Sequence, residues 1–373
     1  MNIKYFDHAA TTAVAPEVLH EMIPYFSKNY GNASSMYEIA RISKRAMNEA
    51  RAKIAHAIGA SPKEIYFTSC GSESDNLAIK GIAYANKEKG KHIITSKIEH
   101  NAVLNSCERL EEQGFEITYL NVDQNGFVNL EELKNAIRED TILITIMFAN
   151  NEVGTIEPVE KIAEIAKNNN IIFHTDAVQA IGNVRIDVKK MGIDALSMSA
   201  HKFYGPKGIG ALYIKNGVKI TNLVYGGEQE RGLRAGTENT PAIVGMGEAL
   251  ALACSEMDGA AQQIVHLRDL LENEIMQRMP EAIVNGDREK RLPGTLHVTF
   301  PGADTNMLLM RLDMEGIAVS AGSACAAGAR EHSHVLEAMH VPSGADVRFS
   351  LGTDNDETQI RQTVDTLYRI LNG

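Results

Sequence analysis

The chain has 373 residues, of which 44% are hydrophobic and 23% charged, an ordinary globular mix with room for two or three domain-sized units. Its net charge of −11 argues against nucleic acid or anionic lipid as the main partner, while leaving room for a local basic site that holds a small anion. The opening MNIKYFDHAATT lacks the apolar run of a signal peptide, and the most apolar stretch, TILITIMFA at residues 141–149, is too short to cross a bilayer, so a soluble cytoplasmic protein with no membrane contact is expected.

From about residue 60 to 215, strand-like and helix-like segments alternate. EIYFTS (64–69) predicts a strand, followed by a helix over 73–86. HIITS (92–96) precedes a helix from about residue 101, FEITYLNV (115–122) one over 130–138, and ILITIMFA (142–149) one over 159–168. IIFHTDA (171–177), DALSMSA (194–200) and GIGALYI (208–214) read as further strands. This rhythm predicts an α/β domain with a mostly parallel seven-stranded sheet. After about residue 255 the pattern changes to a long helix (260–279), strand-like TLHVTF (295–300), a helix (304–314), GIAVSA, VRFSLG (347–352) and a last helix (356–371). A second, smaller α+β domain is expected there. The division predicted is 16–255 for the large domain, with 1–15 and 256–373 in the small one.

Chemistry-bearing residues recur at the ends of these strands, where open α/β sheets bind ligands. SMSAHKFYGPKGIG (197–210) sets Lys202 just past a strand, a place for a Schiff-base former, although a solvated loop lysine fits the residue equally well. HTDAVQA (174–180) sets Asp176 at another strand end, with His174 and Gln179 beside it. A carboxylate there suits a protonated ring nitrogen and also suits a helix cap. A pyridoxal phosphate site needs both a lysine for the aldehyde and a carboxylate for the pyridinium. TSCGSESDNLAIKG (68–81) runs a strand into a helix, offering backbone N–H groups and the Ser72 hydroxyl to an anion without being a P-loop. IEHNAV (98–103) adds His100, and FANNEVG (148–154) adds Asn150 and Asn151. No one of these is specific; five strand ends suited to one ligand are.

Four cysteines are scattered with no CxxC pair, so neither a disulfide framework nor a zinc knuckle is expected. Cys254 and Cys107 fall in helical runs, and Cys70 sits beside the anion loop. Cys325 stands apart, in SAGSACAAGAREHSH (320–334), a stretch with nothing to build a core and two histidines close behind. His332 and His334 stand where they could assist deprotonation of Cys325 but read more readily as solvated loop residues, and a zinc site with Cys325 is disfavoured for want of further ligands. NVDQNGFVNLEE (121–132) has EF-hand spacing, but a strand precedes it, and an Asn-Gly turn followed by an Asn129 helix cap accounts for it better.

Taken together, these motifs resemble those of the cysteine desulfurases of the NifS/IscS type, class-V members of the fold-type I pyridoxal-phosphate enzymes. The likeness runs from YFDHAATT (5–12) and YGNASS (30–35) through the stretches above and GGEQERGLRAGTEN (226–239) to SAGSAC and VRFSLG. It implies that Lys202 is the Schiff-base lysine, that His100 stacks on the ring, that Asp176 pairs with the ring nitrogen, and that Asn151 and Gln179 hold the phenolic oxygen. It assigns phosphate binding to Gly71, Ser72, Ser199 and His201, with Thr237 reaching across from the second subunit of a homodimer. Arg348, with Asn32, would take the substrate carboxylate. The implied reaction converts L-cysteine to L-alanine and leaves a persulfide on Cys325 for a sulfur-acceptor protein, an iron–sulfur scaffold or a thiolation enzyme. Selenocysteine lyase, another class-V aminotransferase, and a non-catalytic sulfur carrier on a degenerate fold are the competing readings. The chain departs from the family pattern at Gly71-Ser72, where Ala-Thr is common, at Tyr37, at Glu228 and at the two alanines after Cys325. It also ends at Gly373, short of the tail with which some relatives dock a scaffold, which bears on the partner more than on the reaction.

Overall fold

The computed structural model describes residues 3–322 and 333–372. An N-terminal segment holds strand β1 (Lys4–Tyr5), helices α1 (Pro16–Met22) and α2 (Pro24–Ser27), and the long α3 (Glu38–Ala57). The alternating region follows: β2 (Ile65–Thr68), α4 (Gly71–Asn86), β3 (His92–Ser96), α5 (Asn101–Glu111), β4 (Glu116–Leu120), α6 (Leu130–Ala136), β5 (Thr141–Thr145), α7 (Val159–Asn168), β6 (Ile172–Asp176), β7 (Ala195–Ser199) and β8 (Gly210–Ile214). Then come α8 (Thr240–Arg278), β9 (Ile283–Asn285), β10 (Thr295–Phe300), α9 (Thr305–Met314), β11 (Ile317–Ala318), α10 (His334–Ala338), β12 (Ala345–Ser350) and α11 (Glu357–Asn372).

The seven strands form one sheet in the order β2-β8-β7-β6-β5-β3-β4, in which β8 pairs antiparallel with both its neighbours and the rest run parallel. Strands β3, β5, β7 and β8 are buried at every position, because helices cover both faces, and their near-continuous apolar runs follow from that. The chain advances to one side from β5 through β6 to β7, whereas β4 lies on the other side of β3. A crevice therefore opens at the carboxyl ends of β3 and β5. Although strand β5 ends at Thr145, the ladder continues through Ile146 and Phe148, whose N–H groups reach the carbonyls of His174 and Asp176 at 3.2 and 2.8 Å.

Among the described residues four apolar clusters form, two of them the largest. One joins Ile54, Ile144, Phe173, Leu196 and Tyr213 under α3 and α8. The other packs Phe6, Leu296, Val298, Val347 and Phe349 of the small antiparallel sheet β12-β10-β9 and its edge against α9 and α11. The helix expected over 260–279 begins twenty residues earlier, at Thr240, where Asn239 accepts from the Ala242 N–H. Its first half contributes Ile243, Met246 and Leu250 to the large core, and its second half gives Leu267, Leu271 and Ile275 to the other. The calcium-like stretch is a turn: Asp123 Oδ1 accepts from the N–H groups of Asn125 and Phe127, and Asn129 caps α6. Among the described residues no helix is long and apolar enough to cross a membrane.

Candidate active site

A cavity of about 280 Å³ opens at the carboxyl edge of the sheet. Five strand ends feed it: Gly71 and Ser72 after β2, His100 after β3, Asn151 after β5, Asp176 on β6, and Ser199, His201 and Lys202 after β7. Gln179 and Arg348, also expected to face the ligand, line it too.

Each is held by local structure. Helix α4 starts at Gly71, two residues earlier than the sequence suggests, so Ser72 lies in its first turn among free backbone N–H groups. A Cβ on Gly71 would stand 2.7 Å from Val178 Cγ2, so the close approach of α4 to the β6 loop requires glycine or a shift of Val178. His100 caps α5, its Nδ1 accepting the Ala102 N–H at 3.1 Å, which leaves the proton of a neutral ring on Nε2. Asp176 Oδ1 accepts from Val178 N–H at 2.9 Å at the head of a turn; the helix cap that the sequence also allows is not there, because turns and not a helix connect β6 to β7. Lys202 follows β7 in a 3-10 turn, and its Nζ donates to the carbonyls of Ala9 and Ala10. Gln179 Nε2 donates to the same Ala9 carbonyl at 2.9 Å. Of the two adjacent asparagines, Asn150 is spent on structure: it binds the Ile98 carbonyl and accepts from Glu152 and Val153, leaving Asn151 to line the cavity.

Arg348 reaches the cavity from β12 and is 2% exposed. Its Nη2 donates to Asp7 Oδ1 at 3.0 Å and Ser320 Oγ at 2.8 Å, its Nη1 to the carbonyls of Asn151 at 2.7 Å and Gly322 at 3.3 Å. Among the described residues its Nε has no hydrogen-bond partner, an orphaned buried donor.

Charge states follow from burial. Asp176 is pushed up by desolvation, against which His100 and Lys202 favour its ionised form. His201 is driven down to about 4 by burial, then by Lys202 and Lys207, and so stays neutral. Glu152 is raised by burial, opposed by the Ser333 hydroxyl, His334 and Arg348.

The remaining expected residues lie elsewhere. Asn32 is exposed, its side chain accepting from Ser34 N–H, and Thr237 is exposed beside Phe67, Ser69 and Glu238; neither lines this chain's cavity. His334 corrects its sequence reading: it is no solvated loop residue but the first residue of α10, half-buried, lining the cavity with Nε2 3.0 Å from the Glu99 carbonyl. Cys325 and His332 lie outside the described residues. Cys107 is buried, Cys254 packs at the large core, and Cys70 lines the cavity. Sequence reasoning missed Asp75, Glu152 and Asp7. A signal existed for the first, since Asp75 shares helical spacing with the buried Ala78, Ile79 and Ile82.

Residues 4–363 match the family model described as aminotransferase class-V. The chain belongs to the class-V aminotransferase family. It is 54% identical over 372 residues to the cysteine desulfurase IscS of Clostridium botulinum, which covers 98% of this chain and 94% of the relative. Among solved structures, a NifS-like protein superposes with a TM-score of 0.94 at 41% identity, covering 99% of each chain. SspA in complex with cysteine superposes at 0.83 with 41% identity, covering 94% of this chain and 99% of that one. The chain thus stands on the cysteine desulfurase branch of the class-V aminotransferases, a family of pyridoxal-phosphate enzymes.

Proposed function

We propose that this class-V enzyme holds pyridoxal 5′-phosphate in the 280 Å³ cavity and desulfurates L-cysteine. The reading is carried by one arrangement: Lys202 and buried Asp176 line the same cavity, which Arg348 also lines. The residues fit the cofactor. Gly71, Ser72, Ser199 and neutral His201 suit its phosphate, Asp176 its ring nitrogen, Asn151 and Gln179 its phenolic oxygen, and Lys202 its aldehyde. When bound, the cofactor supplies an electron sink for charge developing at the substrate α-carbon.

The chain's own groups do the rest. Arg348 holds the substrate carboxylate through Nε and an Nη freed from its longest bond, that to Gly322. Asp176 fixes the ring nitrogen in its protonated form, and His100 covers the ring. Lys202 Nζ takes the α-proton and returns a proton to carbon. The Cys325 thiolate attacks the substrate sulfur; the carbon–sulfur bond breaks, a sulfur–sulfur bond forms, and the β-carbon keeps the electron pair and is protonated. L-cysteine and Cys325 become L-alanine and the Cys325 persulfide, which passes sulfur to an iron–sulfur scaffold or thiolation protein in the cytoplasm.

The functional unit is a homodimer. Leu19, Ile23, Phe26, Tyr30, Met36 and Tyr225 are exposed in the segments that also carry Asn32 and Thr237, and a second copy covering them would bring Thr237 to the partner's phosphate site. The lobes are residues 16–255 and 1–15 with 256–373.

Purified protein tests the reading. A visible absorption band bleached by borohydride is expected, with sulfide released from cysteine. Cys325→Ala keeps the band and loses the sulfide. Protein that never takes up pyridoxal phosphate, or a fully active Cys325→Ala, refutes it.

A further inference from the structure

Asp75 has no part in the roles above, yet it lines the same cavity at 1% exposure. Among the described residues its Oδ1 has no hydrogen-bond partner. His174 Nε2 stands 3.8 Å from that oxygen but is engaged with Ser197 Oγ at 3.0 Å, and burial drives His174 down to about 3, so it offers no charge. Asp75, His100 and Asp176 each bring one ligating atom within 4.8 Å of the others.

The groups packed around the pair divide unequally. From the ends of β3 and β7, His100 and Lys202 favour the ionised form of Asp176. Around Asp75, burial comes first and then Asp176 on β6, both opposing its ionisation against the Ser197 hydroxyl on β7; Glu99 after β3 and Cys70 at the head of α4 oppose it further once they ionise. Two carboxylates this close in a desolvated site do not both ionise; one keeps a proton.

We infer that Asp75 is the protonated member of a carboxyl pair with Asp176, so that the ring-nitrogen end of the site carries one negative charge, on Asp176, with Asp75 acting through it as a positioning residue. The inference rests on the pyridoxal reading of the cavity. A single negative charge matches a single pyridinium. As pH rises, the Asp75 proton leaves, and the second negative charge favours the protonated ring. Asp75 therefore extends to higher pH the range over which the ring nitrogen keeps its proton.

Asp75→Asn, a neutral isostere, tests this in reconstituted holoenzyme. At neutral pH its affinity for pyridoxal phosphate stays within about threefold of wild type, because one neutral group replaces another. The alkaline transition of the visible band moves down by about one pH unit. Asp75→Ser, smaller and also neutral, gives the same displacement should the amide not fold. Asp176→Asn loses affinity by about a hundredfold, the cost of removing one partner of a buried pair. An Asp75→Asn loss as large as that of Asp176→Asn shows that Asp75 must be charged and overturns the inference. So does an alkaline transition superimposable on wild type, or a stoichiometric metal whose chelation displaces that transition. An Asp176→Asn protein that keeps its affinity refutes the cofactor reading instead.

Discussion

Arg348→Lys separates the substrate clamp from the scaffold around it. The guanidinium spends its four Nη donors on Asp7, Ser320, Asn151 and Gly322, and among the described residues Nε has no partner. A carboxylate gains a bidentate grip from Nε and the Nη released from Gly322, the longest contact at 3.3 Å. Lysine brings three donors on one nitrogen and no fork, so it keeps at most one of those two bonds. A hydrogen bond between charged groups is worth about 1.5–3 kcal/mol, so KM for cysteine rises about tenfold to a hundredfold. The assay is sulfide release against cysteine concentration, with cofactor loading followed by visible absorption. Loading stays complete, because no cofactor contact is assigned to Arg348. A folded, fully loaded Arg348→Lys with KM within about twofold of wild type refutes the clamp.

Two further outcomes follow from buried geometry. Glu99 is fully buried and pushed up to about 8 by desolvation, so it is protonated in the fold and its contribution is complete below its unfolded value. That contribution is lost as pH rises through about 8, by up to about 1.4 kcal/mol per pH unit; the melting temperature of Glu99→Gln should change less than that of wild type between pH 5 and 8, and parallel curves would contradict the assignment. A Cβ on Gly322 would fall 2.2 Å from Glu152 Oε2, the carboxylate that also accepts from Ser333 Oγ at 2.5 Å. Gly322→Ala should therefore slow sulfide release through about 1–3 kcal/mol of strain while cofactor loading persists; wild-type turnover would show that Glu152 rotates away freely.

The alternating region was legible because strands buried on both faces read as apolar runs with polar groups at their ends. That rule placed Ser72, His100, Asn151, Asp176 and Lys202 on one cavity before any coordinates. It did not separate Asn150 from Asn151, since only the turn geometry shows which amide is consumed. The early start of α8 was hidden by Pro241, Gly245 and Gly247, which punctuate the sequence yet sit inside the helix. Gly247 has a packing reason, since a Cβ there would stand 2.6 Å from Ala50 Cα on α3. His334 was misread because its neighbours 323–332 carry no periodicity, and the helix it begins has only five residues. Arg348 could be assigned only through resemblance. Its partners Asp7, Asn151 and Ser320 come from three distant parts of the chain, and no local pattern announces such a meeting.

That meeting governs when the enzyme can exist at all. Lys4 and Tyr5 pair with Ile317 and Ala318, Asp7 bridges to Ser350, and the Ala9 carbonyl receives both Lys202 and Gln179. Lys4, Tyr5 and Asp7 thus find these partners only after 313 to 343 further residues have been made, and Ala9 after 170 to 193. Such long-range closure slows folding, and it keeps a partly synthesised chain from forming the Asp7–Arg348 ion pair.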